Sequence, residues 1–485
     1  MAIISVSDRK LSVNVLDEAA VRRLHTATLD VIESVGVRFP SERALAILAA
    51  HGATVDAATQ IARIPGAVVE QALAQAPPTY TLAARDPALA LPLDGRHSYL
   101  GTDGCGVEVL DAFTGERRRS TLQDVSDAAR VADALDAIAF HWVPVSAQDC
   151  PPESRSLHEL LATWRVSGKH VQTESIVTER EARAAVDMAA ALVGGRAALR
   201  AEPVLSIMQC TLSPLGHDGG SLEAGLVAAE AGLPVGYMTM TSCASTGPAT
   251  LAGSLIVGNA EVISALVLLQ LAYPGCPVYY AAAQTAMDLR TGAYTGGGPE
   301  DYLFGAATNA LADFYRVPLS MGAFATGAKE PGWQSGVDGA FSAFMAAATG
   351  ADMLLGAGLL NGSRLLSYEA LVMDAELWSL VRAVCGGISV DDEALALDAI
   401  RAVGPGGNFL AHKHTRRHMR SLWLPTLMDR RPYGAWEAQR DGAREWARAK
   451  AQSLLRDHRP APLEARLDDE LSALIAACEA EAVTA

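Results

Sequence analysis

Asp103, His141, Glu174, Gln209 with Thr211, Thr239 with Thr241, Gln284 with Asp288, and Thr326 with Lys329, Glu330 and Gln334 all stand in or just past short apolar runs. Carboxylates and imidazoles so placed can hold or move a proton, and amides and hydroxyls can orient a polar substrate. Taken singly, each also fits a hydrogen bond that orders a loop. Aromatic residues are only 6% of the chain, yet Tyr99, Trp142, Tyr237, Tyr279, Tyr280, Tyr294, Phe324 and Trp333 fall in or beside the same runs. Ring faces attract a quaternary ammonium by about 0.5 to 2 kcal/mol each, so the set suits a cationic ligand as well as a packed core. Alternation along Tyr279-Tyr280 lets only one of the two point inward.

Other patterns carry less. Tyr294-Thr-Gly-Gly-Gly-Pro-Glu300 is a glycine-rich loop entering a helix, a form whose backbone N–H groups can cradle phosphate, but it lacks the Lys-Ser/Thr of a P-loop. Gly101-Thr-Asp-Gly-Cys-Gly106 has a GxxGxG spacing rather than the dinucleotide fingerprint. On a helix, His414 and His418 of His412-Lys-His-Thr-Arg-Arg-His418 would share a face, as metal ligands can. No HExxH signature, cysteine pair or nearby carboxylate completes that set, so no tightly bound metal is expected. Cys105, Cys150, Cys210 and Cys243 lie near run ends, which leaves a zinc-thiolate or nucleophilic thiol open beside inert buried thiols.

What must position these groups is a β/α repeat. Apolar runs at His97 to Thr102, Ile138 to Val143, His170 to Glu174, Val204 to Thr211, Val235 to Met240, Val278 to Ala282, Leu319 to Ala323 and Asp352 to Gly356 each lead into a helical segment. The first carries an insertion, Val107 to Arg119, whose Asp111-Ala-Phe-Thr-Gly115 reads as a hairpin turn before Ser120 and Thr121 cap the next helix. Eight units predict an α/β protein with a TIM barrel, whose function collects at the C-terminal strand ends; an open doubly wound sheet is the alternative. The barrel is assigned to 97–370, an α+β extension to 1–96 and a helical segment packed on the barrel to 371–485. Within the extension, helices are expected over Leu16–Val37, from Pro40-Ser41 to Ala50, and from Pro65 to just before Pro77-Pro78, with a strand at Ile61–Ile64.

Half of the 485 residues are hydrophobic and 19% are charged, which supports a large core. The 39 Lys and Arg against 55 Asp and Glu leave a net charge of −16, which argues against nucleic-acid and membrane partners. Seven scattered cysteines frame no disulfide ladder, and the first 20 residues lack the apolar core of a secretory signal, so a cytoplasmic protein is expected. Between Glu230 and Asp288 only Glu261 is charged, but prolines and glycines interrupt the stretch, which reads as buried strands and helices rather than a membrane span.

Five further segments fit together. The hairpin Leu110-Asp-Ala-Phe-Thr-Gly-Glu-Arg117 with Thr121, the tail segment Val403-Gly-Pro-Gly-Gly-Asn-Phe-Leu410 followed by His414-Thr415 and His418, and the prefix features Val35-Gly-Val37, Ile64-Pro65 and Ala84-Arg-Asp86 strongly resemble the trimethylamine methyltransferase superfamily. The resemblance spans nearly the whole chain. It implies a TIM-barrel methyltransferase that passes a methyl group from an amine to the cobalt of a separate, small corrinoid protein. The archaeal trimethylamine enzymes of this superfamily carry pyrrolysine, which is absent here; its place is expected near the seventh strand end, Gly322 to Thr326. That departure points to the branch without pyrrolysine, some of whose members demethylate quaternary amines such as glycine betaine.

A quaternary nitrogen leaves as a neutral tertiary amine when its methyl carbon is attacked in line, so no acid need protonate the leaving group. A strong carboxylate beside the nitrogen would hold the ground state more tightly than the transition state, which makes aromatic and neutral polar lining the better design. On this reading Glu174, Gln209 and Gln284 are the candidate catalytic residues. Tyr99, His141, Tyr237, Tyr294, Phe324, Lys329 and Gln334 are the candidates for substrate binding. Lys329, His141 and the backbone near Gly296 are the donors available to a betaine carboxylate. Gly296, Gly297, Gly298, Gly356 and Gly358 are the candidates for contact with the corrinoid, and the tail after residue 400 is a candidate for docking its protein. A homo-oligomer is compatible with the chain. The competing readings are a zinc- or thiol-using barrel enzyme of another class and a non-catalytic betaine-binding protein.

Overall fold

The computed structural model describes residues 3–294 and 296–484. Eight strands, β1 (Tyr99–Thr102), β2 (Ile138–Trp142), β3 (His170–Thr173), β4 (Leu205–Cys210), β5 (Val235–Thr239), β6 (Val278–Ala282), β7 (Leu319–Gly322) and β8 (Met353–Ala357), run parallel in sequence order, and β8 pairs back onto β1. The barrel is closed, which excludes the open sheet. The strands read as apolar runs rather than alternating patterns because one face meets the barrel interior and the other meets helices. Those helices are α1 (Leu122–Asp133), α2 (Arg155–Val166), α3 (Glu179–Val193), α4 (Gly219–Ala231), α5 (Leu251–Ala272), α6 (Pro299–Tyr315), α7 (Trp333–Thr349) and α8 (Tyr368–Cys385). The expected insertion after β1 is a hairpin, Glu108–Leu110 against Arg117–Arg119.

Large and absent side chains interlock inside the barrel. Tyr99, Phe140, Trp142, Met208, Met238, Tyr279, Met353 and Leu355 share one apolar cluster with Leu82, Leu91 and Leu93. The last three come from the hairpin Tyr80–Leu82/Leu91–Leu93, whose Tyr80 hydroxyl donates to Val278 O at the start of β6. That hairpin plugs the N-terminal end. A Cβ on Gly101 would lie 2.6 Å from the Phe140 ring, one on Gly104 2.2 Å from the Trp142 indole, and one on Gly236 2.0 Å from the Tyr279 ring.

In the extension, the first helix is α-helical only over Glu18–Asp30 and continues as a π turn over Val31–Val35. It packs on α5 with the helices Glu42–Ala50 and Gly66–Leu73. Covered on that side by the extension and on the other by β5 and β6, α5 is apolar all round. It is long and apolar enough to cross a membrane, and 78% of its most apolar window is buried inside the molecule. In the tail, Ala443–Asp457 lies on α8 and α1, and Ala465–Thr484 lies on α3 and α2.

Candidate active site

The loops after the strands form the C-terminal mouth of the barrel, and backbone strain gathers there. Of 11 non-glycine residues with positive φ among those described, Cys105, Leu215, Ala244, Phe324, Asn361 and Ser363 lie just past β1, β4, β5, β7 and β8. Such conformations persist where the surrounding structure over-determines them, commonly at sites that must hold a geometry.

Inward-facing residues alternate along each strand, so Gln172 and Glu174 share the barrel side of β3. Glu174 is part-exposed into the mouth. The Cys105 thiol donates to its Oε1, and Cys210 Sγ lies 3.9 Å from its Oε2. Burial, with Asp103 and Glu159 adding negative charge, pushes the Glu174 carboxyl up to about 7. Asp103, just past β1, is pushed up to about 6 by burial against hydrogen bonds from Ser363 and from the Gly104 N–H at 2.9 Å. Asp374, reaching in from α8, accepts from the Gly358 N–H at 2.8 Å and is pushed up to about 8 by burial. Asp301 and Asp338 are also raised by burial. Among the described residues none of these five carboxyls has a Lys or Arg partner. The floor beneath them is Trp142, whose buried indole N–H has no partner among the described residues.

Of the candidate catalytic residues, Glu174 faces the mouth and two do not. Gln209 points outward from β4 and donates to Ile176 O at 2.8 Å, tying down the loop after β3. Gln284 donates to Ser254 O at 3.0 Å and packs on Gly258 of α5. Among the binding candidates, Tyr294 lies at the mouth, its ring against Gly296 and Gly362 and its hydroxyl held above the usual tyrosine range by burial and by Asp301 and Asp103. Lys329 is exposed at the rim with its Nζ on Gly327 O at 2.6 Å, and the exposed Gln334 bonds Asp338. The other four lie elsewhere. Tyr99 sits deep in the barrel beside the plug, and Tyr237 points outward toward Ser221 of α4. The Phe324 ring packs on Gly339 of α7. His141 lies behind the wall with its Nε2 2.6 Å from Ser167 Oγ, and Ser167 in turn donates to Asp133 at 2.8 Å. Burial beside Lys169 depresses His141 to about 3.

The glycines act differently from an anion cradle. The N–H groups of Gly297 and Gly298 donate to Asp301, and a Cβ on Gly297 would lie 2.5 Å from Asp338 Cγ. Gly296 lies against Tyr294, and Thr295 of the same run is outside the described residues. Gly356 gives β7 and β8 room to approach, and the Gly358 N–H serves Asp374. No group of histidine, cysteine and carboxylate side chains that could hold a metal ion occurs among the described residues. Sequence reasoning missed Asp374, Asp301, Ser363 and the pairing of Cys105 and Cys210 with Glu174.

Outside the mouth, Glu261 of α5 is fully buried and gathers the loops after β4 and β5. It accepts from Thr211 (2.6 Å), Ser213 (2.9 Å), Thr239 (3.0 Å) and the Leu215 N–H (2.9 Å). Glu261→Ala would strand these donors without water, so a loss of about 3 kcal/mol or more in a urea titration is expected. A loss under about 1 kcal/mol would mean that the loops hold without it.

Residues 3–482 match the family described as trimethylamine methyltransferase (MTTB). The chain is 34% identical over 461 residues to trimethylamine methyltransferase MttB of Desulfitobacterium hafniense strain DSM 10664 / DCB-2, covering 94% of this chain and 92% of that one. It is 34% identical over 466 residues to the glycine betaine methyltransferase of D. hafniense strain Y51, covering 96% of each. The crystal structure of the Methanosarcina barkeri monomethylamine methyltransferase (MtmB) has the same fold, with a TM-score of 0.54 at 11% identity, covering 94% of this chain and 90% of that one. A closed parallel barrel with its chemistry-bearing acids at the C-terminal mouth, matched end to end by methyltransferases, makes this chain a methyltransferase of the trimethylamine methyltransferase family.

Proposed function

We propose that the protein removes a methyl group from a small quaternary amine, glycine betaine or a close analogue, and delivers it to the corrinoid of a separate protein. The observation that carries this reading is the set of mouth carboxyls, the buried Asp103 and Asp374 with the part-exposed Glu174, which have no cation partner among the described residues above an indole floor. Such a site favours a cationic guest, whose charge supplies what the acids lack. It is also tuned against binding too tightly, because carboxyls with raised pKa values are partly protonated near neutral pH. The Trp142 face, Tyr294 and the partly protonated acids stabilise the ammonium modestly, so little of that attraction has to be given up as its charge disappears. The relative named as a glycine betaine methyltransferase, which lines up over almost its full length, supports the substrate class.

The corrinoid supplies the acceptor for the methyl group and arrives with its own protein. The rim suits such a partner. Val177, Leu212, Met240, Leu289 and Trp333, just past β3, β4, β5, β6 and β7, are large apolar side chains left exposed around the mouth. What the chain itself does is hold the N-methyl axis toward the opening, keep Asp374 and a share of Glu174 protonated, and exclude water from beneath.

The test is methyl transfer from a panel of quaternary amines to chemically reduced cob(I)alamin, and then to a purified cognate corrinoid protein. One amine is expected to be demethylated. No turnover with either acceptor would sink the proposal. Lys329 is the rim cation left for a betaine carboxylate, because His141 is walled off and the Gly297 and Gly298 amides serve Asp301. Lys329→Ala is expected to weaken betaine binding about tenfold and to leave choline, which has no carboxylate, unchanged. Equal effects on both would remove Lys329 from this role.

A further inference from the structure

We infer that the segment from Ile388 to Tyr433 is an arm through which the protein binds a second copy of itself. The segment leaves the barrel after α8 and returns to it at Trp423, whose Nε1 donates to Ser379 Oγ at 3.1 Å, and at Thr426, whose N–H donates to Glu376 at 2.6 Å. Between Ile388 and Leu422 its hydrogen bonds and ion pairs, among the described residues, stay within the segment: Arg417 pairs with Glu393, and Thr415 donates to Phe409 O. From 388 to 426 the molecule buries only Ala399. The arm is internally organised, yet almost nothing in its own chain covers it.

Its side chains are those of a buried surface. Of 25 large apolar residues exposed among those described, 12 lie between Ile388 and Tyr433, with Ile388 87% and Leu410 83% exposed. A stable interface needs about 800 Å² from each partner, which 12 such residues supply at roughly 70 Å² each. The charge selects the partner. The arm from 388 to 433 holds seven Lys and Arg against five Asp and Glu, whereas the rest of the chain holds 32 against 50. An apolar arm of slightly positive balance on an otherwise strongly acidic molecule is complementary to that same molecule. Permanence points the same way. A partner that docks only during turnover would leave the arm bare for most of the time, whereas an identical copy is present at equal concentration and closes by symmetry.

Sedimentation of the full-length protein at micromolar concentration tests this. A dimer or larger closed assembly is expected. Leu410→Asp with Leu422→Asp, and separately Arg416→Glu with Arg417→Glu, are each expected to raise its dissociation constant about 30-fold or more, while Phe113→Asp on the hairpin leaves it unchanged. If the variants fail to fold, hydrogen exchange on the wild type decides, because the arm amides must lose protection on dilution through the dissociation constant. A monomeric wild type overturns the inference, including one whose arm is protected only by a corrinoid protein. So does an assembly whose arm exchanges as fast as in the monomer.

Discussion

Between about pH 6 and about pH 8 the wild-type enzyme is expected to gain roughly tenfold in affinity for its cationic substrate and to lose maximal rate, and Glu174→Gln is expected to flatten both trends, leaving the smaller slopes of Asp103 and Asp374. The Glu174 carboxyl titrates at about 7 because burial and the neighbouring Asp103 and Glu159 disfavour its charge. Over that span its ionised fraction rises from about a tenth to about nine tenths, and the cation binds the ionised form better. The same ionic attraction fades as the nitrogen becomes a neutral amine, so what tightens the ground state slows the step. Glutamine is the permanently neutral counterpart. The variant is therefore expected to stay closer to the low-pH affinity and the low-pH rate across the range than the wild type does, read as separate kcat and KM profiles. Profiles for the variant that keep the wild-type slopes would show that Glu174 does not meet the substrate. The same raised carboxyl acts on stability with a definite sign. The folded chain holds a proton that the unfolded chain, titrating near 4.5, has already released, so stability falls as pH rises from about 4.5 to about 7 and then levels.

Gly356→Ala is expected to be the most damaging single-methyl change in the barrel, costing about 5 kcal/mol or leaving no folded protein. At Gly356 φ is +139°, and an added Cβ would lie 1.7 Å from Ala323 O on the neighbouring strand. That carbonyl belongs to rigid backbone, beside an Ala323 N–H that already donates to Leu355 O at 2.6 Å. Relief requires β7 and β8 to part, which opens the closed sheet. Gly358→Ala is the useful comparison. Its φ of +96° carries strain, but its nearest neighbour is a Leu371 side chain at 3.2 Å, so a loss of about 1 to 2 kcal/mol is expected in the same urea titration. Similar losses for the two would show that backbone conformation, rather than the approach of the strands, sets the effect.

The barrel was legible because strands buried on both faces must be short apolar runs and their connecting helices must be long. The same fact hid the site. Where both faces are buried, composition does not say which residues point in, so His141, Gln209 and Tyr237 pass the same test as Glu174 yet face the helices. Parity along each strand would have separated them only with the register known. Asp374 was invisible for another reason: it lies within a helical pattern, and only the fold brings it beside Gly358. The glycine-rich loop carries its own signal against an anion cradle. Asp301, three residues past Gly298, closes a cap on α6 and takes the amides that a phosphate would need.

The fit of Phe140 on Gly101, Trp142 on Gly104 and Tyr279 on Gly236 ties together positions far apart in the chain. A methyl added to any of these glycines is tolerable only if the facing ring shrinks, and a smaller ring leaves a void unless the glycine grows. Each pair should therefore drift as a unit across descendants of this gene, while the loops around the opening vary freely. New specificities would be expected to arise by insertions and exchanges at the rim, over an interior that changes two residues at a time.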